Sequence, residues 1–209
     1  MGETIVVFVG GDPPPASVLD GLPKGVYVIA ADSGFDHARR LGVPVDLLVG
    51  DLDSISADGL GVAAEIERHP TDKDATDLAI ALDAAARKKP LRVFVIGGAG
   101  GRIDHFLANA ALLTAPAYSS LDLTWLPGGA VIHVVRHRIE LSGSPGDVVS
   151  LLPYGGPARG VRTFGLKWPL TNAELGPGTS LGISNLMVDT FAAVELDDGV
   201  LLVVQPQQG

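Results

Sequence analysis

Short runs of apolar, often β-branched residues alternate with helical patterns along the first two-thirds of the chain. The apolar runs lie at 4–9, 26–31, 45–49 and 92–96. Because nearly every position in them is apolar, they predict strands that are buried on both faces, as in a parallel sheet. The helical patterns lie at 35–41, 76–88 and 103–113. This alternation predicts an α/β domain, with ligands at the carboxyl ends of its strands.

The pattern changes near residue 135, where helical periods end and short strand-like segments follow one another. These segments lie at 134–141, 147–152, 161–168, 180–188, 192–196 and 200–205. Turns rich in Gly, Pro, Ser and Asp separate them, which is typical of a small antiparallel sandwich or barrel. We therefore expect an N-terminal three-layer α/β domain with a mostly parallel sheet at 1–135. A smaller C-terminal antiparallel β-sandwich domain is expected at 136–209.

Composition and charge narrow the classes of partner. The chain has 209 residues, of which 46% are hydrophobic and 19% charged, as in a globular protein. Its net charge of -9 argues against nucleic acid and anionic membranes as partners. The absence of cysteine excludes disulfides and thiolate metal sites. Neither a basic leader-like start nor a long apolar stretch is visible, so we expect a cytoplasmic protein without a membrane partner.

Two carboxylates follow the third apolar run, at Asp51 and Asp53 in the segment Gly-Asp-Leu-Asp-Ser. Like charges this close resist burial together, so they are expected to face a cation or solvent. Hard oxygen ligands beside a glycine turn suit Mg²⁺ that carries a phosphate. The plain alternative is a pair of solvated acids in a turn, with Asp53 capping the next segment.

A second acidic group stands at the start of the helical pattern 76–88. Asp74 and Asp77 are three positions apart, a spacing that places them on one face of a helix. Acids in a first helical turn also favour the helix dipole, which is the simpler explanation. Capping accounts for one acid, whereas Asp72, Asp74 and Asp77 surround a single Lys73.

A glycine-rich loop, Gly-Gly-Ala-Gly-Gly at 97–101, follows the fourth apolar run and is followed by Arg102. Glycines let backbone N–H groups approach an anion, and an arginine fork can bind phosphate with two parallel bonds. A plain tight turn would need only one or two glycines. Asp104 and His105 then begin a helix, and His105 is expected to form hydrogen bonds rather than to bind a metal.

In the C-terminal region, Trp168, Ser184 and Asn185 are candidates for contact with a small molecule. The indole of Trp168 could stack on a flat or cationic heterocycle, or it could belong to the core. Ser184 and Asn185 could form hydrogen bonds with a heteroaromatic ring, or they could simply close a turn.

Taken in order, these motifs resemble the thiamin pyrophosphokinase family. The motifs are Asp-Ser-Gly at 32–34, Gly-Asp-Leu-Asp-Ser at 50–54, Asp-Ala-Thr-Asp at 74–77 and Gly-Arg-Ile-Asp-His at 101–105. Gly-Leu-Lys-Trp at 165–168 and Ser-Asn at 184–185 resemble the family's thiamin-facing β-domain. Two positions depart from the family pattern, because Ala79 stands where a glutamate is common and Ser33 replaces a glycine. Neither departure removes a carboxylate that is expected to hold metal.

The resemblance implies transfer of the pyrophosphoryl group of ATP to the hydroxyethyl oxygen of thiamin, which gives thiamin diphosphate and AMP. It implies ATP as co-substrate, Mg²⁺ as cofactor, and a homodimer that holds thiamin between the α/β domain of one subunit and the β-domain of the other. By the same resemblance, the metal ligands are Asp51, Asp53 and Asp77. The nucleotide and polyphosphate contacts are Asp32, Ser33, Gly34, Asp74, Gly100, Gly101, Arg102 and His105, and the thiamin contacts are Trp168, Ser184 and Asn185. Either Asp104 or a metal-facing aspartate accepts the hydroxyl proton.

Two alternatives stay open at this point. One is a non-catalytic module of the same fold that binds a nucleotide as a regulator. The other is a Mg²⁺-dependent nucleotide transferase whose acceptor is not thiamin. Loss of the acids would mark the first alternative, and an altered acceptor site would mark the second.

Overall fold

The computed structural model of the chain describes residues 3–51, 63–70 and 75–207. The chain divides into two compact units. The first contains Met1–Leu112 and Ser120–Gly128, and the second contains Leu113–Ser119 and Gly129–Gly209. The fold is a mixed α/β fold, with a large, mostly parallel sheet and an antiparallel sheet.

In the described part of the first unit, six strands pair in the order β6-β5-β1-β2-β3-β4, and every pair is parallel. They are β1 (Thr4–Phe8), β2 (Tyr27–Ala31), β3 (Leu47–Gly50), β4 (Glu65–Arg68), β5 (Arg92–Ile96) and β6 (Leu123–Leu126). The helices are α1 (Gly34–Arg40), α2 (Asp77–Arg87) and α3 (Ile103–Leu113). A short 3₁₀ turn lies at Ala16–Leu19, and another at Pro116–Tyr118 belongs to the second unit.

The apolar runs form the buried centre of this sheet, as the pattern predicts. Ile5 and Val7 on β1 and Leu48 on β3 are fully buried. Helices α1 and α2 pack against β1 and β2. The helical pattern predicted from residue 76 begins at Asp77, because Thr76 is the N-cap and its Oγ1 accepts the N–H of Ala79 at 3.3 Å.

The order of the strands places a switch point at β1. The chain proceeds from β1 outward through β2, β3 and β4, and then returns to the opposite side of β1 with β5. The loops that follow β1 and β5 therefore leave in opposite directions. In open α/β sheets this is where a crevice forms and ligands bind.

The second unit is antiparallel throughout its described strands. These are β7 (Ala130–Val135), β8 (Arg138–Ser142), β9 (Val148–Pro153), β10 (Ala158–Phe164), β11 (Ala173–Leu175), β12 (Asn185–Leu186), β13 (Phe191–Glu195) and β14 (Leu201–Pro206). They pair in the orders β12-β9-β14-β7 and β11-β10-β13-β8. One apolar cluster takes side chains from both groups, for example Leu151 and Val203 from the first and Val161 and Val194 from the second.

Several strands differ from the sequence expectation. Strand β4 was not expected, because three of its four side chains are exposed and its Glu-Ile-Glu-Arg sequence has little apolar content. The segment predicted as a strand at 180–188 is mostly turn, and only Asn185–Leu186 pairs as β12. Strand β7 lies in the second unit, although it falls within the predicted first domain. No helix in the described ranges is long and apolar enough to cross a bilayer.

Candidate active site

A cavity of about 820 Å³ lies in the first unit, beside the ends of the central strands and the starts of α2 and α3. Nine residues that the sequence singled out line it. They are Asp32, Ser33, Asp51, Asp77, Gly100, Gly101, Arg102, Asp104 and His105. Residues that are far apart in the sequence therefore meet because parallel strands end at the same edge of the sheet.

Asp32 directly follows β2 in a conformation that is unusual for a residue with a side chain. Its φ is +46°, in the left-handed region that non-glycine residues seldom adopt. Its N–H donates to the carbonyl of Val49 at 3.0 Å, and its own carbonyl accepts the N–H of Phe35. These bonds tie the end of β2 to β3 and begin the turn into α1. Backbone strain of this kind is concentrated at functional sites, which is why we single out this carboxylate.

Gly34 and Ser33 have packing roles in this turn. Gly34 does not line the cavity; a Cβ there would lie 2.7 Å from the amide nitrogen of Val9. Glycine at this position therefore lets α1 approach β1. Ser33 lines the cavity, and its Oγ would collide with any Cβ placed on Gly10. The serine that departs from the family pattern thus fits against a glycine of the neighbouring turn.

The glycine-rich loop needs its glycines for conformation and for close packing. Gly97, Gly98, Gly100 and Gly101 have φ values of +92°, +75°, +82° and +61°, a region that favours glycine. A Cβ on Gly97 would lie 2.5 Å from the carbonyl oxygen of Val9. A plain turn would not require four residues with a positive φ, two on each side of Ala99.

The turn that follows β1, residues 10–12, packs directly against this loop and was missed by the sequence analysis. The N–H of Gly98 donates to the carbonyl of Gly10, and the N–H of Asp12 donates to the carbonyl of Ala99, both at 2.7 Å. A Cβ on Gly100 would collide with the carboxylate of Asp12. Asp12 thus adds a further carboxylate to the cavity wall. Its signal was a Gly-Gly-Asp sequence at the end of the first apolar run.

Two side chains of helix α1 donate hydrogen bonds to this turn and to the segment that follows it. His37 is buried, and its Nε2–H donates to the carbonyl of Gly11 at 3.1 Å. Arg40 donates from Nη2 to the carbonyl of Pro14. Burial lowers the pKa of His37, so the folded chain favours the neutral imidazole.

Two further side chains donate hydrogen bonds to carbonyl groups of the glycine-rich loop. Trp125 Nε1–H donates to the carbonyl of Gly97 at 2.7 Å, and Asn109 Nδ2 donates to the carbonyl of Gly98 at 3.0 Å. Trp125 is buried, and its ring lies 4.9 Å from that of Phe106 on α3. These bonds hold two loop carbonyls in place, so the loop has a defined shape before any ligand arrives.

Arg102 and Asp104 form a two-point ion pair at the cavity. Arg102 donates from Nε to Oδ1 at 3.1 Å and from Nη2 to Oδ2 at 2.5 Å. The hydrogen bond from Arg102 is the main cause that lowers the pKa of Asp104 to about 2. Both side chains are exposed. The carboxylate of Asp104 therefore occupies the guanidinium fork, where an anionic ligand such as a phosphate could take its place.

The predicted metal ligands are only partly within the described chain. Asp51, at the end of β3, and Asp77, the first residue of α2, are half-buried and line the cavity. Asp53 and Asp74 lie outside the described residues. Within residues 3–51, 63–70 and 75–207, no three potential ligand side chains are grouped closely enough to form a metal cluster by themselves. The oxygen donors that share the cavity, with Asp12 and Asp32, nevertheless suit Mg²⁺ in their chemistry.

The three candidates in the second unit lie close to one another. Trp168 is 54% exposed, so it does not belong to the core. Lys167 Nζ lies 4.8 Å from the centre of its ring. Asn185 is buried and bonds to the main chain of Trp168. Ser184 has a φ of +54°, and its N–H donates to Ser150 Oγ at 2.9 Å.

Comparison with known proteins gives a consistent set of relatives. Residues 22–125 match the family described as thiamin pyrophosphokinase, catalytic domain, and residues 136–201 match its vitamin B1 binding domain. Thiamine pyrophosphokinase from Bacillus subtilis is 28% identical over 215 residues, which cover 97% of this chain and 98% of that protein. Thiamine pyrophosphokinase 2 from Arabidopsis thaliana is 30% identical over 176 residues, with coverage of 76% and 64%.

Solved structures agree with the sequence matches. The structure of the Bacillus subtilis thiamine pyrophosphokinase superposes with a TM-score of 0.86 at 24% identity, over 99% of this chain and 100% of that one. Thiamin pyrophosphokinase from Candida albicans gives a TM-score of 0.78 at 14% identity, over 99% and 90%. At these identities the superpositions show a common fold. Together with the two family matches and the relatives, they lead to one conclusion: the chain belongs to the thiamin pyrophosphokinase family.

Proposed function

We propose that the cavity of the first unit is where this chain carries out the reaction of its family. That reaction transfers the pyrophosphoryl group of ATP to the hydroxyethyl oxygen of thiamin and gives thiamin diphosphate and AMP. One observation carries the proposal: carboxylates, a preformed glycine-rich loop and an arginine fork line the same cavity. Attack at the β-phosphorus concentrates negative charge, and a site for it needs fixed cations and N–H donors.

The glycine-rich loop and Arg102 bind the polyphosphate in this proposal. Gly100 and Gly101 lie just before the N-terminus of α3, where backbone amides and the helix dipole favour an anion. Arg102 exchanges the Asp104 carboxylate for a phosphate with the same two-point geometry. The turn at 10–12 and its support from His37 keep this loop in the binding conformation.

Asp51 and Asp77 hold Mg²⁺ in this proposal, with Asp53 added from the sequence motif and Asp74 beside them as a contact to the nucleotide. Mg²⁺ held by these acids would neutralise charge on the phosphate oxygens and polarise the phosphorus that is attacked. Asp32, at its strained turn, orients the nucleotide beside these acids, with Ser33 next to it. His105 lines the same cavity and contributes a hydrogen-bonding side chain.

Asp104 is the residue that we assign as acceptor of the hydroxyl proton. While Arg102 is bound to it, the low pKa of Asp104 makes its carboxylate a weak base. When Arg102 turns to a phosphate, this cause is removed, and the pKa of Asp104 rises toward its ordinary range. Asp104 therefore becomes more basic at the moment when ATP is bound, beside the polyphosphate that the hydroxyl attacks.

The proposal places thiamin beside Trp168, Ser184 and Asn185 in the second unit, with the indole of Trp168 as the surface that it contacts. The exposed indole offers an aromatic face for a cationic ring. We extend the family resemblance to the remaining features, which are a three-layer nucleotide- and Mg²⁺-binding domain and a C-terminal sandwich domain for thiamin and dimerisation, with β7 counted in the second unit. A homodimer and a cytoplasmic location belong to the same proposal.

The products identify the reaction and separate it from the two alternatives. Incubation of the chain with MgATP and thiamin should give AMP and thiamin diphosphate in equal amounts, measured by chromatography. AMP without thiamin diphosphate would indicate a different acceptor. Binding of ATP without either product would indicate a regulatory module.

A further inference from the structure

Asn185 is almost completely buried in the second unit, although its side chain is polar. Its exposed fraction is 3%, whereas asparagine is usually found at the surface. A carboxamide is tolerated inside a protein only where its oxygen and nitrogen find partners, because an unpaired buried polar group costs free energy. The partners of this carboxamide therefore indicate what the residue does.

The carboxamide of Asn185 bonds to both main-chain polar groups of Trp168. Its Oδ1 accepts the N–H of Trp168 at 3.1 Å, and its Nδ2 donates to the carbonyl of Trp168 at 2.7 Å. Oδ1 also accepts the N–H of Leu186 at 2.9 Å. A main-chain N–H can only donate and a carbonyl can only accept, so these partners fix which end of the carboxamide is oxygen. The carboxamide thus pairs with the N–H and the carbonyl of Trp168 as a neighbouring strand would. We call this pair of hydrogen bonds the clamp.

This clamp continues a short antiparallel contact between the segment that carries Trp168 and the segment that carries Asn185. Leu166 and Met187 pair across the contact, and both are buried. Asn185 also belongs to β12, which pairs with β9. The side chain of Asn185 therefore ties the main chain of Trp168 to β12. Strand β12 in turn pairs with β9, which contributes to the apolar cluster of the unit.

The indole of Trp168 is not held by core packing. More than half of its surface, 54%, is exposed, and Lys167 Nζ lies 4.8 Å from the ring centre. An exposed side chain with little packing around it depends on its main chain for orientation. A cation already lies over this ring, and a ring-shaped cationic substrate would use the same property of the indole.

We propose that Asn185 is a positioning residue that holds the main chain of Trp168 and so presents the indole to thiamin. It acts through Trp168, because a side chain that is 3% exposed has almost no surface for direct contact with a substrate. The inference rests on the proposed function in one respect, namely that thiamin stacks on Trp168. The clamp itself is independent of the substrate.

Asn185→Asp is the most informative variant. It preserves size and the acceptor at Oδ1, but it places an oxygen opposite the carbonyl of Trp168 in place of the Nδ2 donor. Asn185→Ala removes both bonds and serves as the second variant. Thr163→Val is the matched control, because the buried Thr163 Oγ1 accepts the N–H of Leu170 at 2.8 Å on the same loop. It removes a comparable bond without touching Trp168.

Tryptophan fluorescence tests the clamp without any substrate. The chain has two tryptophans, and Trp125 is 1% exposed, so iodide quenches Trp168 selectively. We expect the anisotropy decay of the quenchable tryptophan to gain a fast local component in both Asn185 variants and to stay unchanged in Thr163→Val. An unchanged decay in Asn185→Asp, or an equal change in Thr163→Val, would overturn the proposal.

Steady-state kinetics test the consequence for thiamin. We expect the KM for thiamin to rise about tenfold in Asn185→Asp, the scale of one lost buried hydrogen bond. The kcat and the KM for ATP should stay within about twofold, because only binding through Trp168 is affected. A fall in kcat with an unchanged KM for thiamin would contradict the positioning role. A wild-type chain without thiamin-dependent turnover would refute the proposed function, and the anisotropy result would still decide on the clamp.

Discussion

His37 is the residue whose charge state matters most for the turn beside the cavity. Its Nε2–H holds the carbonyl of Gly11, and burial is the main cause that lowers its pKa, with the charge of Arg40 acting in the same direction. The hydrogen bond to Gly11 and the charge of Asp36 act in the opposite direction. The balance keeps the imidazole neutral in the folded chain at a pH where an exposed histidine would begin to charge.

A pH dependence of stability follows from this pKa. Because the pKa of His37 is lowered in the folded state, the unfolded chain binds a proton first as the pH falls below the ordinary value of 6.5. The free energy of unfolding should therefore fall from about pH 7.5 toward about pH 5.5. We expect this fall to be smaller in His37→Gln, measured by urea denaturation. The exposed His137 supplies the control, and a wild-type slope in His37→Gln with a reduced slope in His137→Gln would contradict the account.

The glycines at 100 and 101 form a matched pair for the packing of the loop. Both have a positive φ, so alanine strains the main chain at either position, by about 1–2 kcal/mol. Only at Gly100 would the new Cβ also collide with Asp12, whereas nothing lies within 4 Å of one at Gly101. We expect Gly100→Ala to lose more stability and to raise the KM for ATP more than Gly101→Ala. Equal effects in urea denaturation and kinetics would show that the contact with Asp12 does not matter.

At the residue scale, a local sequence pattern can single out one side chain, but it cannot show contacts between distant segments. Asp51 and Asp77 stood out because a carboxylate after a buried strand, or at a helix start beside other acids, calls for an explanation. Asp12 and His37 were missed, since their importance depends on the approach of the turn after β1 to the loop after β5. That approach follows from the order of strands in the sheet, which no local pattern contains.

Helix α3 has the ion pair of Arg102 and Asp104 in its first turn and just before it. Arg102 precedes the helix and Asp104 is its second residue, so the pair lies at the end where the helix favours anions. Their ion pair is exposed, and it is therefore weak enough to be exchanged. An element that presents a cation already matched to a carboxylate can bind a phosphate without reorganising its main chain.

Arg102→Gln and Asp104→Asn should separate binding from proton transfer. The first variant removes the fork that we propose to bind phosphate, so we expect the KM for ATP to rise. The second removes the carboxylate that we propose as proton acceptor but leaves the fork, so we expect kcat to fall by about 10²–10⁴-fold. The measurement is the initial rate as a function of ATP at saturating thiamin. A kcat near that of the wild type in Asp104→Asn would move the acceptor role to a metal-facing aspartate.

Strands are likewise predicted where their own sequence carries a pattern, and they are missed where it does not. Continuous apolar runs predicted β1, β2, β3 and β5, because strands buried on both faces need almost only apolar residues. Strand β4 escaped prediction, since it lies at the edge of the sheet and Ile66, its one apolar residue, is 40% exposed. Strand β12 has two residues, too few for any period to show.

At the scale of the whole molecule, the second unit carries large apolar side chains at its surface. Phe164, Val188 and Phe191 are between 46% and 55% exposed. Phe164 pairs with Ala193 in register, and Phe191 lies two residues before Ala193 on β13, so the two rings share one face of the sheet. A face of this kind favours association with a partner.

We expect the chain to sediment as a homodimer at micromolar concentration. The expectation joins the family resemblance to the apolar surface of the second unit, and analytical ultracentrifugation tests it. Phe164→Asp should shift the equilibrium toward monomer, because a charge on an apolar face opposes its burial. A wild-type chain that sediments as a monomer would contradict the expected assembly.

Release of AMP from MgATP with and without thiamin, in the wild-type chain and in Asp51→Asn, is the most direct test of the central claim. We expect AMP to appear only when thiamin is present. We also expect the Asp51→Asn substitution to lower the rate at least about a hundredfold, since a charge that we assign to the metal is lost at the phosphates. The variant should retain its fold. A rate near that of the wild type in Asp51→Asn would contradict the assignment of the cavity as the site of transfer.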